Sequence, residues 1–352
     1  MDKYNVVEKY IRDCIDKTEI GGKLPSVRSI KETCKVSEKT IDRVVERLML
    51  ENLVEMRPRS GLYKRKAYPR DIKIVCFVGS HLIPEDSNAT FYQQVMYSLF
   101  YMLSQENRRI SIITANNSTE ELELLKSLKN DLKSTIILFN AAHEHLLPIE
   151  EARASGTRIV DVLPMHDYKL NAAITNDDAK IVRMQLEYLN DRNHKRIAYA
   201  NAPHGLHRRP LSDRWDAFVM ESIKLKMEPV VSDYNINAHS SFEDVYSNTV
   251  ELIKNESTRP DAIILGEDIQ YKAVYDAITS QGLVVGEDIS VIGTNDSPWS
   301  SYAIPPLTTI GFDIYNGLKE FMNIIENIEE RNEGSITKFP LKLVERSSVI
   351  QS

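Results

Sequence analysis

The side chains that could do chemistry fall into two groups, and neither has the spacing of a catalytic centre. The histidines cluster only as His143 with His145 and His204 with His207, and no third ligand is spaced to close a metal site around either pair. Cys14, Cys34 and Cys76 are odd in number, lie far apart and sit in apolar patterns, which fits reduced core thiols. There is no Walker loop and no GxSxG elbow, and no glycine-rich turn succeeds the apolar run at 72–79. The chain therefore reads as a non-enzyme with neither cofactor nor metal. What remains is hydrogen-bonding chemistry. Ser26, Arg28, Ser37, Lys39, Thr40, Arg43, Arg57, Arg59 and Gly61 are short polar or cationic side chains and a turn glycine, the types that meet phosphates and base edges. Phe91, Asp161, Arg214, Glu267, Asp268, Asn295 and Phe312, with Trp299, combine acceptors, a planar cation and aromatic faces, the types that contact a small polar ligand.

The first group must be positioned by the stretch from Leu24 to Arg65. Val27, Ile30 and Cys34 fit one face of a helix starting at Pro25-Ser26, and Val36-Ser37 breaks the pattern, with Ser37 a good N-cap for a second helix. That helix turns Ile41, Val44, Val45, Leu48 and Met49 inward and leaves Glu38, Lys39, Thr40, Asp42 and Arg43 outward. Leu53 to Met56 reads as a strand, and 57–61 as a turn back into Leu62-Tyr63, which makes a basic hairpin. An amphipathic stripe of Val6, Val7, Tyr10, Ile11, Cys14 and Ile15 supplies an opening helix; charged throughout, this segment is no signal peptide. Residues 1–70 hold 17 Lys and Arg against 11 Asp and Glu, while the rest holds 27 against 40, so the overall charge of −7 conceals a basic head on an acidic body. That asymmetry suits a small nucleic-acid-binding domain attached to something that does not touch DNA. No apolar run approaches the ~18 residues of a membrane span, and a cytoplasmic location is expected.

The second group must be positioned by the chain beyond residue 71. Short apolar runs at 72–79, 109–116, 134–140 and 157–163 alternate with helical patterns at 91–107 (Val95, Leu99 and Met102 inward), 119–130 (capped by Thr119) and 149–156. The alternation continues to ISVIGTND at 289–296. It predicts parallel sheets covered on both faces, with continuous rather than alternating apolar strands. About ten such units exceed one ordinary sheet, so two lobes are expected, with a cleft lined by the loops at the strand ends. Those loops carry Ser80 and His81, 88–91, Asn140, Asp161, 201–214, Glu267-Asp268 and 295–299.

Two resemblances sharpen this reading. The pieces LPSVR, VSEKT, RVVERLMLENLVE and RPRSGLY, at fixed spacing over roughly residues 5–65, resemble the winged helix of the GntR family. That resemblance implies a recognition helix in the major groove and a wing against phosphates or the minor groove. Family members usually have arginine where Glu38 and Asp42 stand, so their base contacts do not carry over, whereas Arg28, Lys39, Thr40, Arg43 and the wing do. From roughly 72 to 350, the pieces NATF, AITNDDA, HKRIAYA, RWDAF, ILGED, GEDISVIGTND, IPPLTTI and LVERSSV resemble the effector domain of the LacI/GalR family, which shares the fold of periplasmic sugar-binding proteins. By motif position Arg214 corresponds to that family's effector-binding arginine, and Asn295 stands where many members have an aspartate. A GntR head on such a body is similar to the arabinose-repressor type of sugar-responsive regulator.

The expected architecture is a winged helix-turn-helix over 1–66 and a linker over 67–71. An α/β two-lobed, periplasmic-binding-protein-like effector and dimerisation domain occupies 72–352. Lobe 1 is expected at about 72–171 and 308–338, and lobe 2 at about 172–307 and 339–352. The expected function is a sequence-specific DNA-binding transcriptional regulator, a repressor, acting as a homodimer on double-stranded operator DNA. Its effector would be a monosaccharide such as a pentose or deoxyhexose bound between the lobes. The alternative is a ligand-independent DNA-binding protein whose C-terminal domain serves only dimerisation.

Overall fold

Three helices close over a small apolar core at the N-terminus, and the second and third begin where the sequence supplies a serine cap. In the computed structural model, α1 (Lys3–Lys17), α2 (Val27–Cys34) and α3 (Glu38–Leu50) precede β1 (Val54–Arg57) and β2 (Gly61–Lys64). The structure describes residues 3–19, 21–51, 53–58, 60–65, 71–76, 89–105, 109–115, 117–139, 141, 145–164, 172–200, 209–230, 241–326 and 335–350. The expected 67–71 linker, Ser80, His81, Asn88, Asn140, His143, His204 and His207 fall wholly or largely outside them. Val7, Ile11, Ile30, Ile41, Val44, Val45, Leu48, Val54 and Leu62 form the head core. Met49, expected inward, is instead 39% exposed; it lies one residue past Leu48, on the flank of the buried stripe. β1 and β2 pair antiparallel, Val54 opposite Lys64 and Arg57 opposite Gly61.

Beyond the head, strand and helix alternate as the apolar periodicity predicts. The strands are β3 (Asp71–Cys76), β4 (Ile110–Thr114), β5 (Ser134–Phe139), β6 (Arg158–Val162), β7 (Ala172–Thr175), β8 (Arg196–Ala200), β9 (Glu228–Val230), β10 (Ala262–Leu265), β11 (Ser290–Asn295), β12 (Thr308–Phe312), β13 (Ser335–Lys338) and β14 (Leu341–Val344). Between them run α4 (Ala89–Ser104), α5 (Ser118–Ser127), α6 (Leu146–Ala154), α7 (Asp178–Asn190), α8 (Arg209–Lys224), α9 (Phe242–Ile253), α10 (Tyr271–Ser280), α11 (Pro298–Tyr302) and α12 (Ile314–Glu326). The cap of α5 is Asn117, whose side chain accepts from the Glu120 amide, rather than Thr119. In α4, Leu103 is fully buried with Val95 and Leu99, while Met102 is half-buried.

Two six-stranded sheets result, ordered β13-β7-β6-β5-β3-β4 and β14-β12-β11-β10-β8-β9. Strands β5, β10 and β12 are buried along their whole length, as strands covered by helices on both faces are. β14 departs from the parallel pattern, running antiparallel to β12 with Phe312 opposite Leu341. The expected lobe boundaries exchange two strands. Residues 172–175 belong to the sheet of β3–β6, and 308–312 to that of β8–β11. The reason is pairing: β7 takes β13 as its parallel partner, and β12 is held to β11 from Ile292–Thr308 to Asn295–Gly311. The chain therefore passes from one sheet to the other after β7, after β12 and again after β13.

By packing density the chain divides into two units. The first holds Met1–Val78, Tyr101–Phe139 and Glu144–Val160; the second holds Gly79–Phe100, Asn140–His143 and Asp161–Ser352. Among the described residues no helix is long and apolar enough to cross a membrane.

Candidate functional site

Two serine caps set the starts of α2 and α3 in the head. Ser26 Oγ accepts from the Ser29 amide at 3.2 Å and starts α2. Ser37 Oγ accepts from the Thr40 amide at 3.3 Å and sits 2.8 Å from the Thr40 hydroxyl. Both serine oxygens thus serve helix starts, and the Thr40 amide also meets the Ser37 carbonyl at 3.0 Å. Between the helices Lys35 adopts φ 52°, the left-handed turn that ends α2. With Ile41, Val44, Val45 and Leu48 buried, α3 presents Glu38, Lys39, Asp42 and Arg43 to solvent.

The other expected contacts of the head are distributed unevenly. Arg28 is exposed and, among the described residues, pairs only with Glu32, one turn away at 3.2 Å. Arg57 is committed within the wing: it pairs with Glu55 at 2.6 Å and stacks 4.2 Å from the centre of the Tyr63 ring. Gly61 has φ 105°, a turn conformation that side chains other than glycine resist. Arg59 lies outside the described residues. Behind α3, Arg12 bonds Glu8 (2.8 Å) and Glu51 (2.7 Å), and Arg47 bonds Glu51 (3.2 Å), tying α1 to the end of the recognition helix.

A second arrangement lies within the second unit, where the ends of β10 and β11 face α4. Phe91, Gln94, Glu267, Asp268, Ile269, Asn295, Ser297 and Trp299 line a pocket whose space, open solvent included, is about 310 Å³. Asn295 and Asp296 hold φ of 103° and 50°, a strained geometry for side chains that is found where a site dictates it. Gln185 on α7 fixes this strand end, donating to Gly293 O at 2.8 Å and to Thr294 Oγ1 at 3.0 Å. Glu267 is nearly buried, and its carboxylate takes the backbone amide of Gln270.

Asp268 lines the pocket, yet its carboxylate is occupied. It accepts from the Ser297 amide and the Thr309 hydroxyl, each at 2.8 Å, and from the Ser300 hydroxyl. Burial pushes its pKa up to about 6, against these three donors. Asp268 is thereby a tie between α11 and β12 rather than an open acceptor. Asp296 is likewise held, by Arg346 at 2.7 Å.

Arg214 does not line the pocket. Its Nε donates to Asp178 at 2.6 Å and its Nη1 to Gly266 O at 2.9 Å, the carbonyl just before Glu267. Burial works against its charge, and the Asp178 carboxylate outweighs that, so its pKa lies above the usual arginine range. Asp161 is fully buried near the end of β6, where burial raises its pKa well above the carboxylate range; it does not line the pocket either. Phe91 packs on Phe312 at 4.7 Å between ring centres and on Phe339 at 6.2 Å, so Phe312 supports the pocket's aromatic wall from within the core.

Residues 3–63 match the sequence model of the bacterial regulatory proteins of the gntR family, and residues 186–349 match the periplasmic binding protein-like domain. The chain joins a GntR-type head to a periplasmic-binding-protein-like body. The GntR-type head makes the chain a DNA-binding transcription regulator in build. Its body carries the pocket at the carboxyl ends of its strands, where open α/β sheets take ligands. The ribose operon repressor of Bacillus subtilis is 26% identical over 308 residues, covering 86% of each chain. The Lac repressor dimer solved with operator and the anti-inducer ONPF superposes with a TM-score of 0.62 at 19% identity, over 81% of this chain and 96% of that one. The transcriptional regulator CelR in complex with cellobiose gives a TM-score of 0.64 at 17% identity, over 89% and 92%. At such identities the likeness to the solved structures is one of fold.

Of the expected ligand contacts, the pocket gathers Phe91, Glu267, Asp268, Asn295 and Trp299. Sequence reasoning missed Gln94, which is one helical turn from Phe91 and so shares its face. It also missed Asp178, the partner of Arg214 from 36 residues away, for which no local signal exists. His145 is buried against Glu121 at 3.2 Å, across α5 and α6. Among the described residues no three His, Cys, Asp or Glu side chains are grouped to hold a metal.

Proposed function

We propose that this protein is a transcriptional repressor that binds double-stranded operator DNA as a homodimer and is controlled by a small neutral sugar held in the pocket of its body. The observation that carries this reading is the pairing, in one chain, of a capped and cation-bearing α3 with a pocket of amides, a carboxylate and aromatic faces. Asn295 and Gln94 offer both donors and acceptors, Glu267 accepts, and Phe91 and Trp299 offer flat apolar faces, which together suit a ring with hydroxyls on its edges. The charge of Arg214 is met by Asp178, and no cation lines the pocket among the described residues. The site therefore favours an unphosphorylated monosaccharide, such as a pentose or deoxyhexose, over a sugar phosphate. The names of the similar proteins, a ribose operon repressor and a regulator solved with cellobiose, support a sugar effector and repression. The dimeric Lac repressor supports a twofold assembly, and the exposed Tyr302 at the end of α11 and Ile304 just past it give such an assembly apolar surface to cover.

Control requires that the ligand bind the DNA-competent and DNA-incompetent conformations with different affinity, since only that difference shifts the population. The test is the thermal unfolding midpoint of the full chain against a panel of free monosaccharides. A ligand that binds only the folded state at a hundred times its Kd stabilises by about 2.7 kcal/mol, which raises the midpoint by several degrees. A sugar that does so should also change operator affinity. Silence across the panel would sink the effector reading and leave a body that serves dimerisation alone.

A further inference from the structure

The recognition helix carries two acids where a DNA-binding surface has an electrostatic reason to avoid them. Glu38 and Asp42 are exposed and one turn apart on the same face of α3, and neither makes a hydrogen bond or ion pair with any described residue. Lys39 and Arg43 form the adjacent row, equally exposed and equally without an intramolecular partner among the described residues. The helix dipole accounts for an acid in the first turn, which is where Glu38 stands. It does not account for Asp42 in the second turn, where a like charge four residues on destabilises the helix. Both acids also repel the phosphates that give any protein its sequence-independent affinity for DNA.

The chemistry of the major groove gives them a use. A carboxylate only accepts hydrogen bonds. Cytosine offers the N4 amino donor with no acceptor beside it, adenine offers N6 next to the N7 acceptor, and guanine and thymine present acceptors that repel a carboxylate. Lysine and arginine have the reverse preference and take guanine O6 and N7. Alternating acidic and basic rows therefore match C·G pairs, the acid on the cytosine and the base on the guanine or on a flanking phosphate. The rise from Glu38 to Asp42 is about 6 Å, enough to reach bases one or two steps apart.

We propose that Glu38 and Asp42 are the specificity residues of this head, each selecting a C·G pair in the operator by accepting from a cytosine amino group. This rests on the reading of the protein as an operator-binding regulator. The same acids weaken binding to unrelated DNA, so selectivity comes partly from repulsion of wrong sequences.

The experiment is selection of bound sites from a random double-stranded DNA library by the full chain and by its Glu38→Ala and Asp42→Ala variants, which remove the acceptor from an exposed helix position and leave the helix intact. The unaltered protein is expected to enrich a motif with C·G at two positions in each half-site. Each variant should lose the preference at one of them by roughly 10-fold or more and bind unrelated DNA more tightly. Variants that enrich the parent motif with unchanged base preferences overturn the proposal, even if their overall affinity rises. If the unaltered protein enriches no motif, the operator-binding reading falls and takes the proposal with it.

Discussion

Asp268 illustrates how a residue can lie in a site without being free to act there. Its two oxygens are taken by Ser297, Ser300 and Thr309, so it joins the helix α11, which bears Trp299, to the strand β12. Its pKa, pushed by burial to about 6 from the ordinary 3.8, has a consequence for stability. Between those values the native carboxyl holds a proton that the unfolded chain has lost. Stability from this group is therefore fully present below about pH 4, is lost as the pH rises through about 6, and is flat above that. Urea unfolding of the full chain should show a decline of up to about 3 kcal/mol over that window, absent in Asp268→Asn. An equal slope in both proteins would mean that Asp268 is not the group responsible. Arg214 teaches the same lesson from the other side: its position in the RWDAF motif was legible, but its commitment to Asp178 was not.

At the level of elements, the head was almost wholly legible. Ser26 and Ser37 announce their helices because capping is a local transaction between a side chain and an amide three residues on. Replacing Ser37 by Ala should cost about 1 kcal/mol and weaken operator binding, because it frays the first turn of α3, where Lys39 stands. Ser37→Asp, which caps as well, should keep the stability; if Ser37→Ala unfolds at the same urea concentration as its parent, the cap contributes nothing. The strands and helices of the body were legible as far as β11, to within a few residues, while α11, α12 and β12 to β14 were not read as elements. The sheet to which each strand belongs was less so. Short runs such as AAIT at 172–175 and TTIGF at 308–312 look alike in either sheet. Their partners, β13 and β12's neighbours β11 and β14, are chosen by pairing over distances that no local pattern records. The pocket divides in the same way. Residues at strand ends, such as Glu267 and Asn295, were found because topology puts ligands there, while Gln94 and Ile269 lie on a helix and a turn that carry no such signal.

For the whole molecule, the governing feature is that the chain visits both sheets late. β13 closes one edge against β7, and β14 closes another against β12. A chain stopped after residue 334 would keep its head, its pocket residues and ten of its body strands, yet leave β7 and β12 with bare edges. Exposed edges of this kind recruit other strands, so such a chain should accumulate as insoluble aggregate, and recovery of a soluble, monodisperse product would refute this. The same geometry sets a schedule for biosynthesis. The head is complete once residue 65 is made, but β7 must wait for its partner through about 160 further residues. At translation rates of about 5–20 residues per second, that interval is roughly 10–30 s. Each nascent copy carries an unsealed strand edge for that time, while still tethered to a messenger crowded with other copies of itself.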